Sequence, residues 1–359
     1  MARGQGLSVQ FDVNEPSKSP LVSLIIVCHN DGKWLPRCLE SVRQQTIFDR
    51  IEVIIADNAS EDGSDQQAQR LIRSWPNARF LSTGGDNGFC VGANRAASVA
   101  SGTYLCMLNP DTWLETDFVE NLLTTVEREH AGAGGPTILN YDDNSLQSEC
   151  PAGFDFCGNL LLPRAGRRSN APFSPGGFFF IRRDLFAKIG MLDEKLFMYC
   201  EEMDVAWRIW IAGERVVSVP GARIHHRGAV GVNPSEGTVA AGNRTTVQKR
   251  FLANRNRLLV TAKNCQHLLL LMLVPCTLLI LLEGLATWTM TRSWSLAKGT
   301  ALDPLADFWR LHGHVLEQRR RIASFRRHGD FWMLRFFRFG FGRWEEVVKI
   351  SRSGFPRFK

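Results

Sequence analysis

Val22-Ser-Leu-Ile-Ile-Val-Cys-His-Asn-Asp-Gly32 opens the ordered part of the chain. Its first six residues are almost wholly apolar and do not alternate with polar ones, as in a strand covered on both faces. A polar loop follows, and then apolar residues at helical spacing: Leu35, Leu39 and Val42. The unit recurs. Ile51–Ala56 leads into Asp57-Asn-Ala-Ser-Glu-Asp-Gly-Ser64 and a helix near residues 66–75. A third strand near Ala78–Leu81 leads into Gly84–Gly92 and a helix over Ala93–Ala100. A fourth, Thr103–Leu108, ends at Asn109-Pro-Asp111. Buried strands alternating with helices predict an α/β fold, a doubly wound and mostly parallel sheet. Such sheets bind ligands beyond the carboxyl ends of their strands. Cys28–Asn30, Asp57–Ser60, Asp86–Gly88 and Asn109–Asp111 all fall there.

The second half is less regular. Residues 140–175 are rich in Pro, Asn and Arg and read as a long loop. Gly176–Ile181 returns to strand. Arg182–Ile189 and Glu202–Ala212 read as helices, and Arg215–Val219 as a strand closed by Pro220. Residues 221–245 form a glycine-rich loop that contains His225-His-Arg227, with a helix resuming near Val247. The segment Tyr199-Cys-Glu-Glu-Met-Asp204 packs three carboxylates into one turn. Such a cluster is tolerated when a cation or a shared proton sits within it, or when it is a solvated helix start favoured by the helix dipole.

The chain has 359 residues and a net charge of +7. Residues 291–359 hold fifteen Lys/Arg against six Asp/Glu, so the basic excess lies in the tail. Residues 1–20 carry Asp12, Glu15 and Lys18 without an apolar core, so a flexible arm and no signal peptide is expected. Nine cysteines with no CxxC pair argue against a disulfide scaffold or a zinc module and for reduced thiols. His267–Leu282 is densely apolar over about 15 residues and contains Pro275, short of the roughly 20 a bilayer span needs. A kinked helix embedded in one leaflet is expected, with a buried core helix as the alternative. Arg319-Arg-Arg321, Arg326-Arg327 and Phe331–Phe339 interleave arginine with aromatics, as at a membrane interface. No nucleic-acid module accompanies them, so no nucleic-acid partner is expected.

Taken in order, these motifs resemble family-2 glycosyltransferases of the GT-A fold. They are most similar to rhamnosyltransferases that build bacterial surface polysaccharide on lipid carriers. The resemblance covers residues 20–260 and implies a catalytic domain over 21–262 and a helical, basic, membrane-associated region over 263–359. It implies a nucleoside-diphosphate sugar donor (thymidine- or uridine-linked), a lipid-linked glycan acceptor, and work at the cytoplasmic face of the membrane.

On the motif positions, Cys28, His29, Asn30, Asp57, Asn58, Asn87, Gly88, Asn94, Asn109, Gly177 and Arg208 would contact the donor. Asp111 and His226 would hold Mg²⁺ or Mn²⁺ against the diphosphate, and Asp111 would also face the donor. Glu202 would be the general base of an inverting displacement, with Glu201 beside it. Asp204 and Arg208 also match motif positions and form an i,i+4 pair. Glu202 stands where the family usually has aspartate, and Asn109 replaces the first aspartate of Asp-x-Asp. Those departures leave open a degenerate donor-binding scaffold. A nucleotidyltransferase would need a glycine- and arginine-rich loop after the first strand, which Cys28–Leu35 lacks.

Overall fold

The structure, a computed structural model, describes residues 19–150, 153–161, 178–228, 244–342, 350–351 and 355–358. Residues 1–18 of the expected arm, residues 162–177 with Gly177, and residues 229–243 lie outside these.

β1 (Val22–Cys28), α1 (Leu35–Arg43), β2 (Ile51–Asp57), α2 (Ser64–Ile72), β3 (Ala78–Ser82), α3 (Gly88–Val99) and β4 (Tyr104–Leu108) form the wound half. β1 and β2 are buried at every position because each runs between two layers. Ile25, Val27, Ile54 and Ala56 face one core and Leu24, Ile26, Val53 and Ile55 the other. β5 (Thr112–Leu114), α4 (Phe118–Arg128), β6 (Ala133–Asn140), β7 (Leu146–Ser148) and the small hairpin β8 (Gly153–Phe154) and β9 (Leu160–Leu161) follow. Then come β10 (Phe179–Arg182), α5 (Arg183–Lys188), α6 (Glu201–Ile211) and β11 (Val216–His226).

The sheet order is β3-β2-β1-β4-β10-β6-β11-β5. β1 to β4 are parallel, β10 runs antiparallel to β4 and β6, and β11 is parallel to β6. The sheet is therefore mixed and GT-A-like. Cys28 pairs in register with Asp57, so the first two polar loops leave the sheet side by side.

β11 departs from expectation. It continues past Pro220 to His226, with a register shift between Val219 and Arg223. Pro220 falls in that break, where a strand tolerates a missing N–H. His225 and His226 thus lie on a strand, opposite Trp113 and Thr112 of β5, rather than in a glycine-rich loop.

The C-terminal part is helical: α7 (Val247–Asn264), a 3-10 turn Leu269–Met272, α8 (Leu273–Thr291), α9 (Trp294–Ala297), α10 (Asp303–Arg310) and α11 (His312–Phe325). The boundary expected at residues 262/263 falls inside α7. Its last turn reaches Asp204 of α6 through Lys263 and Asn264, and the Trp332 and Phe336 rings pack at a tilt against Trp210 of α6. Pro275 lies in the first turn of α8, directly after the 3-10 turn Leu269–Met272, a position that tolerates a missing N–H.

α8 is two-faced. Cys276, Ile280, Gly284 and Thr287 pack inward, and Gly284 sits so close to Ala301 that a Cβ would lie 2.5 Å from its methyl. Glu283 is paired to Arg250 (3.0 Å) and Asn254 (3.2 Å) of α7. Leu278, Leu282, Leu285 and Trp288 are exposed. Among the described residues, Leu269–Thr291 is the one helical stretch long and apolar enough to cross a membrane.

Two arginines expected at an interface are half-buried and turn inward. Arg319 donates to the carbonyls of Ala262, Cys265 and Gln266, and Arg326 to that of Asn264, so together they cap the C-terminus of α7.

Candidate active site

The loops after β1 and β2 are tied to each other. Asp57 accepts from Ser60 N–H (3.1 Å) and Ser60 Oγ (2.6 Å), and Ser60 Oγ accepts from Asn30 N–H (3.0 Å). The His29 Nδ1–H donates to the Asn58 carbonyl (2.9 Å). Cys28 does not face this loop through its thiol. The side chain is in the core, where burial raises the pKa well above its usual value and keeps it neutral. Asp31, at the loop tip, is pushed up to about 7 by burial.

Asn58 carries the connection onward, donating to the Gly88 carbonyl (2.9 Å) while accepting from Thr83 Oγ1 (2.8 Å). Asn87 turns back on its own loop, donating to the Gly85 carbonyl (3.0 Å). Gly88 has φ +78°, and a Cβ there would meet the Phe197 ring at 2.5 Å. The α3 amide of Cys90 donates to the Phe197 carbonyl (3.1 Å). A glycine at this point lets the nucleotide-side loops close against the segment that leads into the carboxylates.

That segment is strained. Phe197, Tyr199 and Cys200 all have positive φ, at 65°, 69° and 67°. Non-glycine residues in that region cost about 1–3 kcal/mol each and persist only where the surroundings over-determine them. The next residue, Glu201, begins α6.

Glu201 is 7% exposed and its Oε2 has no hydrogen-bond partner. Burial, and then the adjacent Glu202, raise its pKa well above the usual carboxylate range. Glu202 is only part-buried, and burial raises its pKa too. Glu202 is the member of the pair open to an outside proton donor.

Asp204 is fully buried and different in kind. Burial opposes its ionisation, but Arg208 and Lys263 hold its pKa below the usual value. Arg208 bonds it at 2.6 Å, Lys263 at 3.0 Å, and Asn264 Nδ2 at 2.9 Å. Lys263 also pairs with Asp193, which His314 of α11 contacts at 2.9 Å.

Two residues expected at the donor are therefore engaged elsewhere. Arg208 is 3% exposed, and its hydrogen bonds run to Asp204 and the Ile189 carbonyl. Asn94 clamps Leu192 through both amide atoms (2.9 and 3.0 Å) and touches Glu194 (3.2 Å).

Asp111 and His226 do meet. His226 Nε2 lies 3.4 Å from Asp111 Oδ1, because β11 pairs with β5 immediately after the Asn109-Pro-Asp111 turn. Asn109 stabilises that turn through its carbonyl, which accepts from Thr112 Oγ1 (2.7 Å). Gln147 of β7 fixes the imidazole. Its amide nitrogen donates to Asn140 Oδ1 and the His226 carbonyl (both 3.1 Å), so its oxygen accepts from His226 Nδ1–H (2.8 Å). That assignment, made from the network, leaves Nε2 as the ring nitrogen facing the Asp111 carboxylate. An imidazole nitrogen and a carboxylate oxygen side by side are the donor types a divalent cation takes. Among the described residues no group of three or more His, Cys, Asp or Glu converges, so this pair offers two ligands. His225 is structural: it stacks on Trp113 with ring centroids 3.4 Å apart.

A cleft of about 620 Å³ between α1 and β5, lined by Arg37, Trp113 and Glu115, contains none of these residues. Sequence reading missed Gln147, Asn256, Lys263, Asn264 and His314. The available signal was the polar run Asn254-Arg-Asn-Arg257 with Lys263-Asn264, flanking the apolar Leu258-Leu-Val260 on the same helix.

Residues 23–190 match the family model for glycosyl transferase family 2. Glu201, Glu202 and His226 lie beyond that match. The chain is 28% identical over 268 residues to N-acetylglucosaminyl-diphospho-decaprenol L-rhamnosyltransferase of Mycobacterium tuberculosis, covering 66% of this chain and 85% of that protein. It is 23% identical over 210 residues to glycosyltransferase GlyG of Streptococcus pneumoniae, covering 56% and 68%. Among solved structures it resembles GalNAc-T7 with UDP, GalNAc and Mn²⁺ (TM-score 0.63, 15% identity, 94% of this chain and 59% of that one). It also resembles S. aureus TarS 1-349 with UDP-GlcNAc (TM-score 0.56, 12% identity, 85% and 88%).

Proposed function

The chain carries a family 2 glycosyltransferase domain, and from that premise we propose that it moves a sugar, rhamnose first among candidates, from a nucleoside-diphosphate donor to a lipid-linked glycan with inversion. The decaprenol-linked substrate and the rhamnosyl group in the mycobacterial relative's name support this choice of acceptor and donor. The single observation that carries the reading is the division of labour among three carboxylates. Asp204 is locked in ion pairs, Glu201 is buried with Oε2 unpartnered, and Glu202 is only part-buried at the head of α6.

Glu202 takes the acceptor hydroxyl proton as that oxygen attacks the anomeric carbon. The bond from this carbon to the diphosphate breaks, and the nucleoside diphosphate leaves as an anion. A base on one face and a leaving group on the other give inversion. Glu201, kept neutral by burial, lets Glu202 carry the charge without a like-charged neighbour.

Asp57 and the loops tied to it would hold the nucleoside. Asp111 and His226 fit a divalent cation, with Gln147 orienting the histidine; such an ion would neutralise charge on the departing diphosphate. Mn²⁺ in GalNAc-T7, a fold relative, is consistent with this choice.

We place the enzyme at the cytoplasmic membrane face, with the exposed leucines and Trp288 of α8 in one leaflet. A span would carry Glu283 and its α7 partners into lipid, which is costly. The test is a donor panel of thymidine- and uridine-linked sugars with Mg²⁺ or Mn²⁺. The matching donor raises Tm and labels a lipid-extractable acceptor. No donor doing either would refute the reading.

A further inference from the structure

We propose that Asn256 is a positioning residue for this reaction, acting from α7 by setting the backbone that aims Glu201 and Glu202. This rests on the assignment of Glu202 as the base.

One amide nitrogen makes the case. Asn256 Nδ2 donates to the carbonyls of Leu196 (2.9 Å), Met198 (2.8 Å) and Tyr199 (2.8 Å), the stretch that contains two of the three positive-φ residues. Its Oδ1 accepts from Arg255 Nε (3.0 Å), which fixes the flip of the amide. Arg255 braces the same turn, donating to Lys195 O (2.8 Å) and Leu196 O (3.3 Å), and is itself held by Asp307 of α10 (3.0 Å). Asn256 is fully buried and touches no residue assigned to donor or cation.

Three carbonyls converging on one nitrogen define where the chain must pass. Tyr199 and Cys200 then deliver Glu201 and Glu202 at the first turn of α6. Without that nitrogen the carbonyls have no common donor, and the positive-φ conformers lose what over-determines them. The carboxylates then shift by a fraction of an ångström or more.

The experiment compares Asn256→Asp, which keeps the shape and removes both N–H donors, with Asn256→Ala and with Leu258→Ala. Leu258 is equally buried on α7 but packs toward Cys276 and Ile280. Turnover in the Asn256 variants should fall about 100-fold, the scale of a 1 Å misplacement, with the donor KM little changed. The acid limb of kcat should move to lower pH as Glu202 becomes solvated. Amides of residues 197–203 should lose hydrogen-exchange protection while β1 and β2 keep theirs. Leu258→Ala should lower Tm without moving the pH limb or the local exchange. Wild-type turnover and pH profile in both Asn256 variants would overturn the proposal, as would behaviour matching Leu258→Ala. Should Glu202→Gln prove fully active, the base assignment fails separately, and exchange at 197–203 still reports whether Asn256 holds the loop.

Discussion

Gln147 shows how much a single side chain contributes when it orients another. It leaves His226 one free nitrogen and points that nitrogen at Asp111. Removing a ligand's orienting partner commonly costs 10–100-fold in metal affinity. Gln147→Ala should therefore raise the Mn²⁺ concentration for half-maximal activity by about that factor, with saturated turnover nearly intact. Titrating activity against Mn²⁺ checks this, and an unchanged midpoint would remove the cation from this pair. That Asp111 and His226 lie side by side was expected from their motif positions. Gln147 was not, because it sits in an irregular stretch and acts only through a strand pairing that no local pattern announces. Arg208 and Asn94 were legible as positions but not as roles. Their motif spacing is compatible with a donor contact, and only packing shows that Asp204 and Leu192 occupy them.

At the scale of elements, the wound half was readable because β1 and β2 are continuous apolar runs between helices. β11 was misjudged at Pro220, since a proline reads as a strand end unless a bulge takes it. The bulge matters to function, because the continued strand is what carries His226 to Asp111. α8 presents the other element-scale question. Its inward face is small and its outward face is leucine-rich, and Glu283 is tied back to α7. Substituting Leu278, Leu282 and Leu285 with Ser should abolish flotation with anionic liposomes while leaving the fold intact by circular dichroism. Each exposed leucine entering an apolar phase contributes on the order of 1.5–3 kcal/mol, so three account for most of an anchor. Unchanged flotation would assign the apolar face to another partner.

In the molecule as a whole, the C-terminal helices are not an appendage. Lys263 of α7 sits between Asp193 and Asp204, and His314 of α11 completes the group. Lys263 and Arg208 balance the two buried carboxylates, a state in which removing one partner costs about 3–5 kcal/mol. Lys263→Met should lower Tm accordingly, as read by calorimetry at pH 7. The pH sign follows from the depressed carboxylates. Asp193 and Asp204 add stability above the ordinary carboxylate range, and that stability fades as pH falls through their lower folded values. Lys263→Met should flatten this acid dependence, because its carboxylates return toward ordinary values. The coupling was hidden from sequence because its members lie on four separate segments, from Asp193 to His314.

The centre of the account is Glu202 as the base. The most direct measurement is sugar transfer by Glu202→Gln, read with donor binding in the same preparation. A general base contributes about 10²–10⁴-fold. Transfer should drop by that factor while the donor still raises Tm as in the wild type, and the wild-type rate should fall with decreasing pH at a value above an ordinary glutamate's. Full transfer by Glu202→Gln would contradict the assignment.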